Sequence, residues 1–230
     1  MAKGLIFDFG GTLDTGGIHW GKKIWHHYQR HAVPVDEESY RNAYVYTERY
    51  LGNNPVISPT DDFKKLLRTK ITMQLEYLGN LKGLKLQSHA DSLVEGLYSE
   101  TLTTLVKSRR VLTDLKDKYP LVLVSNFYGN IGTILHEFGL NDLFRNVIES
   151  DVVGIRKPDA RIFGLGVDAL GLPGEQIIVI GDSITKDILP AKSIGCMTIW
   201  IKGEGWTDAP ADETVPDAII TDIEGLKLLV

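Results

Sequence analysis

Short apolar runs recur along the chain, and each is followed by a turn or a polar residue, which predicts β-strands. These runs lie at Gly4–Phe7, Leu121–Val124, Asn146–Glu149, Ile177–Ile180, Met197–Ile201 and Ala218–Ile220. Apolar residues at helical spacing between the later runs predict helices at Asn130–Phe138, Asp159–Leu170 and Asp187–Ile194. Strands that alternate with helices pair in parallel through right-handed crossovers, and their carboxyl ends carry the working groups. The pattern therefore predicts an α/β fold around a doubly wound parallel sheet.

The stretch between the first two strands is too long for a simple crossover and has a helical pattern almost throughout. Asp36 predicts the start of one helix, and Thr60, followed by two acidic residues, predicts the start of a second whose apolar positions continue to Leu78. Ser88 to Leu105 predicts a third. We therefore expect an inserted all-helical cap at residues 15–104 and a Rossmann-like core formed by residues 1–14 and 105–230.

The segment that leads into the cap, residues 19–28, is rich in aromatic and cationic side chains. Ile24, Trp25 and Tyr28 recur at helical spacing, which is more typical of core positions than of ligand contacts. Lys22 and Lys23 predict a solvated face.

Composition and charge narrow the class of protein. Of the 230 residues, 43% are hydrophobic and 24% are charged, as in ordinary globular proteins. The net charge of -5 argues against a nucleic-acid partner, because a phosphate backbone is bound by a basic face. Cys196 is the single cysteine, so no intrachain disulfide can form. We find no membrane-spanning run and no signal-peptide apolar region, and we expect a cytoplasmic protein.

Four segments of the sequence contain candidate catalytic or binding residues. Asp8 ends the first strand and runs into Gly10 and Gly11, whose backbone can approach an anion closely. The other candidates are Ser125 and Asn126 after the second strand, Lys157 before a predicted helix, and the pair Asp182 and Asp187 after a later strand. Taken singly, each segment has a plain structural interpretation, namely turn chemistry, a solvated lysine or helix capping. Two acids at a strand end and a helix start can also hold a hard cation.

Together, in order, context and spacing, these segments resemble the haloacid dehalogenase-like superfamily. The resemblance covers residues about 1–14 and 105–230 by motif, and the insertion resembles the helical cap found between the first two motifs of that superfamily. It implies a hydrolase of phosphatase type in which Asp8 attacks phosphorus to form an aspartyl-phosphate, which water then hydrolyses.

The resemblance also implies ligand roles for the remaining residues. Mg²⁺ would be held by Asp8, by the carbonyl of Gly10 and by Asp182. Asp187 would support these ligands without binding the ion directly, or would bind it through water. The phosphoryl oxygens would be neutralised by Ser125, the Asn126 amide, the amides of Gly10 and Gly11, and Lys157. The implied substrate is a small phosphorylated metabolite. We expect a monomer or a homodimer.

The sequence departs from the superfamily pattern at Gly10, where phosphatases of this type normally have a second aspartate that shuttles protons. General acid–base help contributes about 10² to 10⁴ in rate. The enzyme would then work slowly on ordinary monoesters, prefer substrates with good leaving groups such as acyl phosphates, or take the proton from another group. Asp14 and His19 are the nearest such groups in sequence.

Three alternatives stand beside the phosphatase interpretation. A dehalogenase would attack carbon with the same aspartate but would need no metal, so the pair Asp182 and Asp187 argues against it. A phosphonatase would need a Schiff-base lysine from the cap, and the sequence singles out none. A non-catalytic member would bind phosphate or a partner without turnover. Retention of five polar side chains argues against it, namely those of Asp8, Ser125, Lys157, Asp182 and Asp187.

Overall fold

The computed structural model describes residues 2–207 and 210–230, and its centre is one parallel sheet. The strands are β1 (Gly4–Phe7), β2 (Leu121–Ser125), β3 (Asn146–Glu149), β4 (Ile177–Gly181), β5 (Met197–Ile201) and β6 (Ala218–Ile220). They lie in the order β3-β2-β1-β4-β5-β6, and every neighbouring pair is parallel. The predicted α/β class and doubly wound sheet are confirmed.

The central strands are buried on both faces, which explains their continuous apolar sequences. Every residue of β1, β2 and β4 is buried. Alternate side chains enter different cores: Leu5 and Phe7 join the larger apolar cluster, whereas Ile6 joins a smaller one on the opposite face. Helices therefore cover the sheet on both sides, and its carboxyl edge remains available for polar groups.

Among the described residues, eight α-helices surround or extend from the sheet. They are α1 (Trp20–Arg30), α2 (Glu37–Asn53), α3 (Phe63–Lys82), α4 (Ala90–Lys116), α5 (Ile131–Glu137), α6 (Ser150–Val153), α7 (Arg161–Leu170) and α8 (Leu189–Ser193). The first four lie between β1 and β2, as expected for a helical insertion. In the described part of the chain, no helix is both long and apolar enough to cross a membrane.

Aspartate side chains begin two of the cap helices. Asp36 accepts a hydrogen bond from the Ser39 amide at 2.8 Å, as predicted for the start of α2. At the start of α3, the Asp62 carboxylate accepts a hydrogen bond from the Lys65 amide at 2.7 Å. The predicted start of α3 at Thr60 is two residues too early, because Asp62 rather than Thr60 accepts from an amide of the first turn.

Helix α4 is longer than its prediction and belongs to both parts of the molecule. It runs without a break through Leu105 to Lys116 because its buried apolar stripe continues through Val111 and Leu115. In its second half, the Ser108 hydroxyl donates to the Leu13 carbonyl beside β1 at 2.7 Å. The division of cap from core at residues 15 and 104 remains our proposal, with its second crossing inside this helix.

Helix α1 packs its apolar side chains inward, and Ile24 and Tyr28 are buried as predicted. The prediction of a solvated face for Lys22 and Lys23 is wrong, because their side chains are only 10% and 7% exposed. The ammonium groups lie near acids, as for Lys23 and Glu100 of α4 at 3.4 Å.

Candidate active site

Three carboxylates meet at the carboxyl edge of the sheet. Asp8 follows β1, Asp182 follows β4, and Asp187 lies in a π-helical turn, Ile184–Ile188, that leads into α8. One oxygen from each carboxylate lies within 4.8 Å of the others. Because β1 and β4 are neighbours in parallel register, strand pairing itself brings the first two acids together.

Lys157 reaches this cluster from the loop before α7. Its ammonium donates to Oδ1 of Asp8 at 2.6 Å and to Oδ1 of Asp187 at 2.7 Å, and its side chain is 2% exposed. Asn126, directly after β2, holds the loop in place: it accepts from the Lys157 amide at 2.9 Å and donates to the Lys157 carbonyl at 3.1 Å. Four segments distant in sequence therefore converge on one point.

The Thr12 hydroxyl lies within hydrogen-bond distance of both Asp8 and Asp182, the acids that follow β1 and β4. It lies 3.0 Å from Oδ2 of Asp8 and 3.2 Å from Oδ1 of Asp182, and the side chain is fully buried. Thr12 was not among the site residues predicted from the sequence. Its place four residues after Asp8, in the turn that follows the strand, is the signal that could have found it.

The glycine pair serves the site in two ways. Gly11 has φ +99°, and a Cβ there would lie 2.4 Å from Oδ2 of Asp182, so only glycine permits this close approach. A Cβ on Gly10 would meet nothing nearer than the Trp20 ring at 4.0 Å. Gly10 therefore has room for a side chain that this protein does not supply.

Ser125 and Asn126 end β2 beside the carboxylates. Within the described residues, the buried Ser125 Oγ has no hydrogen-bond partner. A buried hydroxyl without a partner is costly, which favours an interaction with a bound group. The Asn126 side chain is used to position Lys157, so only its backbone amide could take the predicted phosphate contact.

Burial and mutual repulsion raise the pKa values of two acids in the cluster. Burial, followed by the charges of Asp187 and Asp8, raises the pKa of Asp182 well above its usual value. Burial also raises the pKa of Asp187 to about 6, although Lys157 opposes the shift. The two carboxylates raise the pKa of Lys157 despite its burial. The cluster has more negative than positive charge, so a cation would stabilise it.

A cavity of about 810 Å³ opens in front of these groups, with walls from both core and cap. On the cap side, Lys70 of α3 lies 2.8 Å from Glu48 of α2. The hydroxyl of Tyr128, on the loop after β2, donates to the same carboxylate. Lys70 was not predicted as a site residue because it falls within an amphipathic helix pattern, in which charged side chains are usually solvated.

The predicted site residues therefore lie together. Asp8, Gly10, Asn126, Lys157, Asp182 and Asp187 line the cavity, and Gly11 and Ser125 are neighbours of these residues in sequence. Asp14 and His19 line it as well. No candidate residue falls in a remote part of the fold.

Residues 2–195 match the family model described as a haloacid dehalogenase-like hydrolase. The chain belongs to this family. The prediction of the family is thus confirmed, as is that of an enzyme of hydrolase class related to phosphatases.

Curated relatives and solved structures extend the match. A glyceraldehyde 3-phosphate phosphatase of Pyrococcus abyssi is 35% identical over 88% of this chain and 82% of its own length. One of Methanopyrus kandleri is 32% identical over 94% and 92%. A third, of Methanocaldococcus jannaschii, is 35% identical, but the match spans only 34% of this chain and about a third of that protein (35%).

Among solved structures, a haloacid dehalogenase-like hydrolase of Bacillus subtilis bound to magnesium has a TM-score of 0.62, with 16% identity over 99% of this chain and 98% of that chain. An L-2-haloacid dehalogenase of Xanthobacter autotrophicus has a TM-score of 0.61, with 18% identity over 100% and 98%. At these identities the structures show a shared fold, and the choice between phosphorus and carbon chemistry depends on the site.

Proposed function

We propose that this protein is a magnesium-dependent phosphatase that hydrolyses a small phosphorylated metabolite through an aspartyl-phosphate on Asp8. The observation that carries the proposal is the contact of a buried ammonium with a cluster of three carboxylates at the floor of one cavity. Such a site can bind a divalent cation and a phosphoryl group side by side.

Asp8 is the nucleophile in this proposal because it lies between the groups that would hold the substrate. Lys157 and Thr12 each bond one of its two oxygens and so fix the orientation of the carboxylate. Lys157, with Ser125, the Asn126 amide and the amides of Gly10 and Gly11, would neutralise the phosphoryl oxygens. Most of the rate enhancement in phosphoryl transfer comes from such positioning and charge stabilisation.

The donor set fits Mg²⁺. Carboxylate and carbonyl oxygens are the ligands this ion prefers, and Asp8, Asp182, Asp187 and the Gly10 carbonyl can supply them. Burial raises the pKa of Asp182, and Lys157, which does not contact this carboxylate directly, offsets the shift only in part, so a bound cation would stabilise the ionised form. When bound, the ion would polarise a phosphoryl oxygen and offset negative charge next to Asp8.

Two relatives that match most of this chain are named glyceraldehyde 3-phosphate phosphatases, which makes that compound the first substrate to assay. A cavity of about 810 Å³ has room for a metabolite of this size. A cytoplasmic location, a monomeric or homodimeric state and the absence of a nucleic-acid partner remain predictions.

The test is phosphate release from a panel of phosphorylated metabolites and acyl phosphates, with Mg²⁺ or with EDTA. Wild-type protein should release phosphate only with the metal, and Asp8→Asn should abolish release. Asp142→Asn, an exposed acid in a short 3₁₀ turn, is the matched control and should keep full activity. Metal-independent release, or release by Asp8→Asn, would refute the proposal.

The other interpretations predict different results. A dehalogenase would release halide from a 2-haloacid without metal, whereas the carboxylate cluster favours metal-dependent chemistry. A phosphonatase would need Lys70 as the cap amine, but that ammonium is paired with Glu48. A non-catalytic member would bind phosphate or beryllofluoride and never release product.

A further inference from the structure

Departure of an alcohol from a phosphate monoester needs a proton on the leaving oxygen, because a free alkoxide is a poor leaving group. In the proposed function, Asp8 attacks phosphorus and the carboxylates around it serve the cation. We propose that Asp14 supplies that proton and later takes one from water, so that it is the acid–base residue of this enzyme. The inference rests on the proposed phosphatase activity and names a further catalytic residue.

The turn after β1 brings the Asp14 carboxyl group back to the glycine pair, where it accepts from the Gly11 amide. The Phe9 carbonyl accepts hydrogen bonds from the amides of Leu13 at 2.9 Å and Asp14 at 3.4 Å, so the chain winds here as a helical turn. Residues four apart in such a turn lie on the same side. Because Gly10 has no side chain, nothing on that residue separates the Asp14 carboxyl group from the space beside Asp8.

Trp20 fixes this carboxyl group from the cap side. Its Nε1 donates to Oδ2 of Asp14 at 2.8 Å, and the same nitrogen would be 4.0 Å from a Cβ on Gly10. The Gly11 amide donates to Oδ1 at 2.7 Å. Each carboxyl oxygen keeps a second lone-pair direction, so a proton can be carried without breaking either bond. Asp14, Trp20, Gly10 and Asp8 line the same cavity.

The surroundings suit proton transfer near neutral pH. Burial, supported by the charge of Asp8, raises the pKa of Asp14 to about 7, while the Gly11 and Trp20 donors and the charge of Lys23 limit the shift. An acid–base group works best when its pKa lies near the operating pH. Asp14 can therefore be protonated for the first step and ionised for the second.

Two other titratable groups on the cavity wall, His19 and Glu48, are less suited. His19 uses Nδ1 to accept from the Gly21 amide at 3.0 Å, and burial lowers its pKa to about 4, so it is neutral near pH 7. Glu48 is held by Lys70 and Tyr128, which lower its pKa against the effect of burial. At neutral pH Glu48 is therefore ionised, and the ring N–H of neutral His19 is too weak an acid to protonate a leaving group.

The two steps balance. In the first, a bond forms between an Asp8 oxygen and phosphorus, the bond from phosphorus to the leaving oxygen breaks, and the Asp14 proton moves to that oxygen to give the alcohol. In the second, a water oxygen attacks phosphorus, its proton moves to the Asp14 carboxylate, and the Asp8–phosphorus bond breaks. The products are alcohol, inorganic phosphate and the starting enzyme.

The test compares Asp14→Asn with wild-type enzyme on two substrates, glycerol 3-phosphate and 4-nitrophenyl phosphate. With the alkyl ester, kcat/KM should fall about 10²- to 10³-fold, since the lost proton transfer is worth about that much. With the nitrophenyl ester, whose leaving group departs unprotonated, kcat/KM should fall less than about 10-fold. Slow attack by water should also produce a burst of nitrophenolate as phosphoenzyme accumulates.

Two further variants distinguish loss of proton transfer from structural damage caused by Asp14→Asn. Gly10→Asp added to Asp14→Asn should recover alkyl-phosphate activity at least about 10-fold, because the open space at Gly10 admits a carboxyl group to the same cavity. Trp20→Phe removes a donor that favours ionised Asp14, so its pKa should rise and the alkaline limb of the kcat/KM profile should move to higher pH.

The results separate the two levels of the proposal. Equal losses on both esters without a burst, unchanged activity in Asp14→Asn, or an unmoved limb in Trp20→Phe would overturn the role of Asp14. If Asp14→Asn does not fold, the Trp20→Phe profile decides. Loss of the proposed function itself would show instead in the wild-type enzyme, as absent metal-dependent turnover, or in Asp8→Asn, as retained turnover.

Discussion

The Lys157 ammonium lies 2.6 Å from Oδ1 of Asp8, although the two residues are 149 positions apart in the chain. It contacts Asp187 at nearly the same distance. This buried cation is therefore both a structural link between the sheet edge and the α7 loop and a charge in the proposed phosphate site.

Replacement of Lys157 by Met should leave Asp8 and Asp187 without their cation. Removal of one partner from a buried ion pair costs about 3 to 5 kcal/mol, so the free energy of unfolding in EDTA should fall by that order. The kcat/KM for phosphate esters should fall by about 10² or more. Urea denaturation and steady-state kinetics measure both effects.

Lys192→Met is the matched control, because Lys192 forms an exposed ion pair with Asp217 at 2.7 Å. Such surface pairs contribute about 0 to 1 kcal/mol. If Lys157→Met were no more destabilising than this control, the buried network would not have the energetic weight assigned to it. Added Mg²⁺ should restore part of the stability of Lys157→Met but not its activity.

Gly11→Ala should disturb the site through contact with Asp182. The new Cβ would come within 2.4 Å of the carboxylate, and φ +99° strains any residue other than glycine. We expect affinity for Mg²⁺ and kcat/KM to fall by about 10² or more, as for loss of a group that stabilises the transition state. Calorimetric titration with Mg²⁺ measures the first effect independently of turnover.

Gly154→Ala separates backbone strain from steric contact. Gly154 also has positive φ, +68°, but a Cβ there would meet nothing within 4 Å. Its replacement should cost about 1 to 2 kcal/mol of stability and leave metal affinity unchanged. Equal metal affinities for the two variants would contradict a requirement for close approach at Gly11.

The titration of Asp14 should appear in the pH dependence of stability. Its pKa is raised from 3.8 to about 7 in the folded protein, so the folded state binds more protons than the unfolded state between these values. Stability contributed by this group is present at low pH and is lost as pH rises through about 4 to 7. Asp14→Asn should remove that decline, which urea denaturation at several pH values in EDTA measures.

His19 should affect the pH dependence of stability in the opposite direction. Its pKa is lowered from 6.5 to about 4, so the unfolded state binds more protons and the contribution of this group grows as pH rises from about 4 to 6.5. His19→Asn keeps an acceptor for the start of α1 and should remove that rise. If the two variants changed the pH dependence in the same direction, one of the two assigned shifts would be wrong.

Tyr128 links the core to the cap through its hydroxyl bond to Glu48. Tyr128→Phe should lower stability by about 1.5 to 3 kcal/mol, because a buried bond to a charged group is lost. It should also speed amide hydrogen exchange in α2, which measures loosening of the cap. Tyr98→Phe, which loses an exposed bond to Glu137, should cost less; an equal cost would contradict a special role for the Tyr128 link.

The sequence was sufficient for the sheet, because its buried central strands leave continuous apolar runs, and β1, β2 and β4 each end on or directly before a predicted site residue. It also identified the site residues that follow those strands, such as Asp8 and Asp182. It missed groups whose role depends on tertiary contacts: Thr12 bridges two acids, and Lys70 meets Glu48 from another helix. The burial of Lys23 was missed for the same reason, since helix packing rather than periodicity determines it.

The cap boundary shows a second limit. The continuation of α4 past Leu105 follows from an apolar stripe that fits the cap and the core equally well, so periodicity alone contains no signal for a break.

The most direct test of the account is detection of the phosphoenzyme. Enzyme mixed with glyceraldehyde 3-phosphate or 4-nitrophenyl phosphate and Mg²⁺ should be quenched in acid, digested and examined by mass spectrometry. We predict one added phosphoryl group on the peptide that contains Asp8, and none in EDTA or in Asp8→Asn. Steady turnover with no such adduct, or a phosphoryl group on another residue, would contradict the central claim.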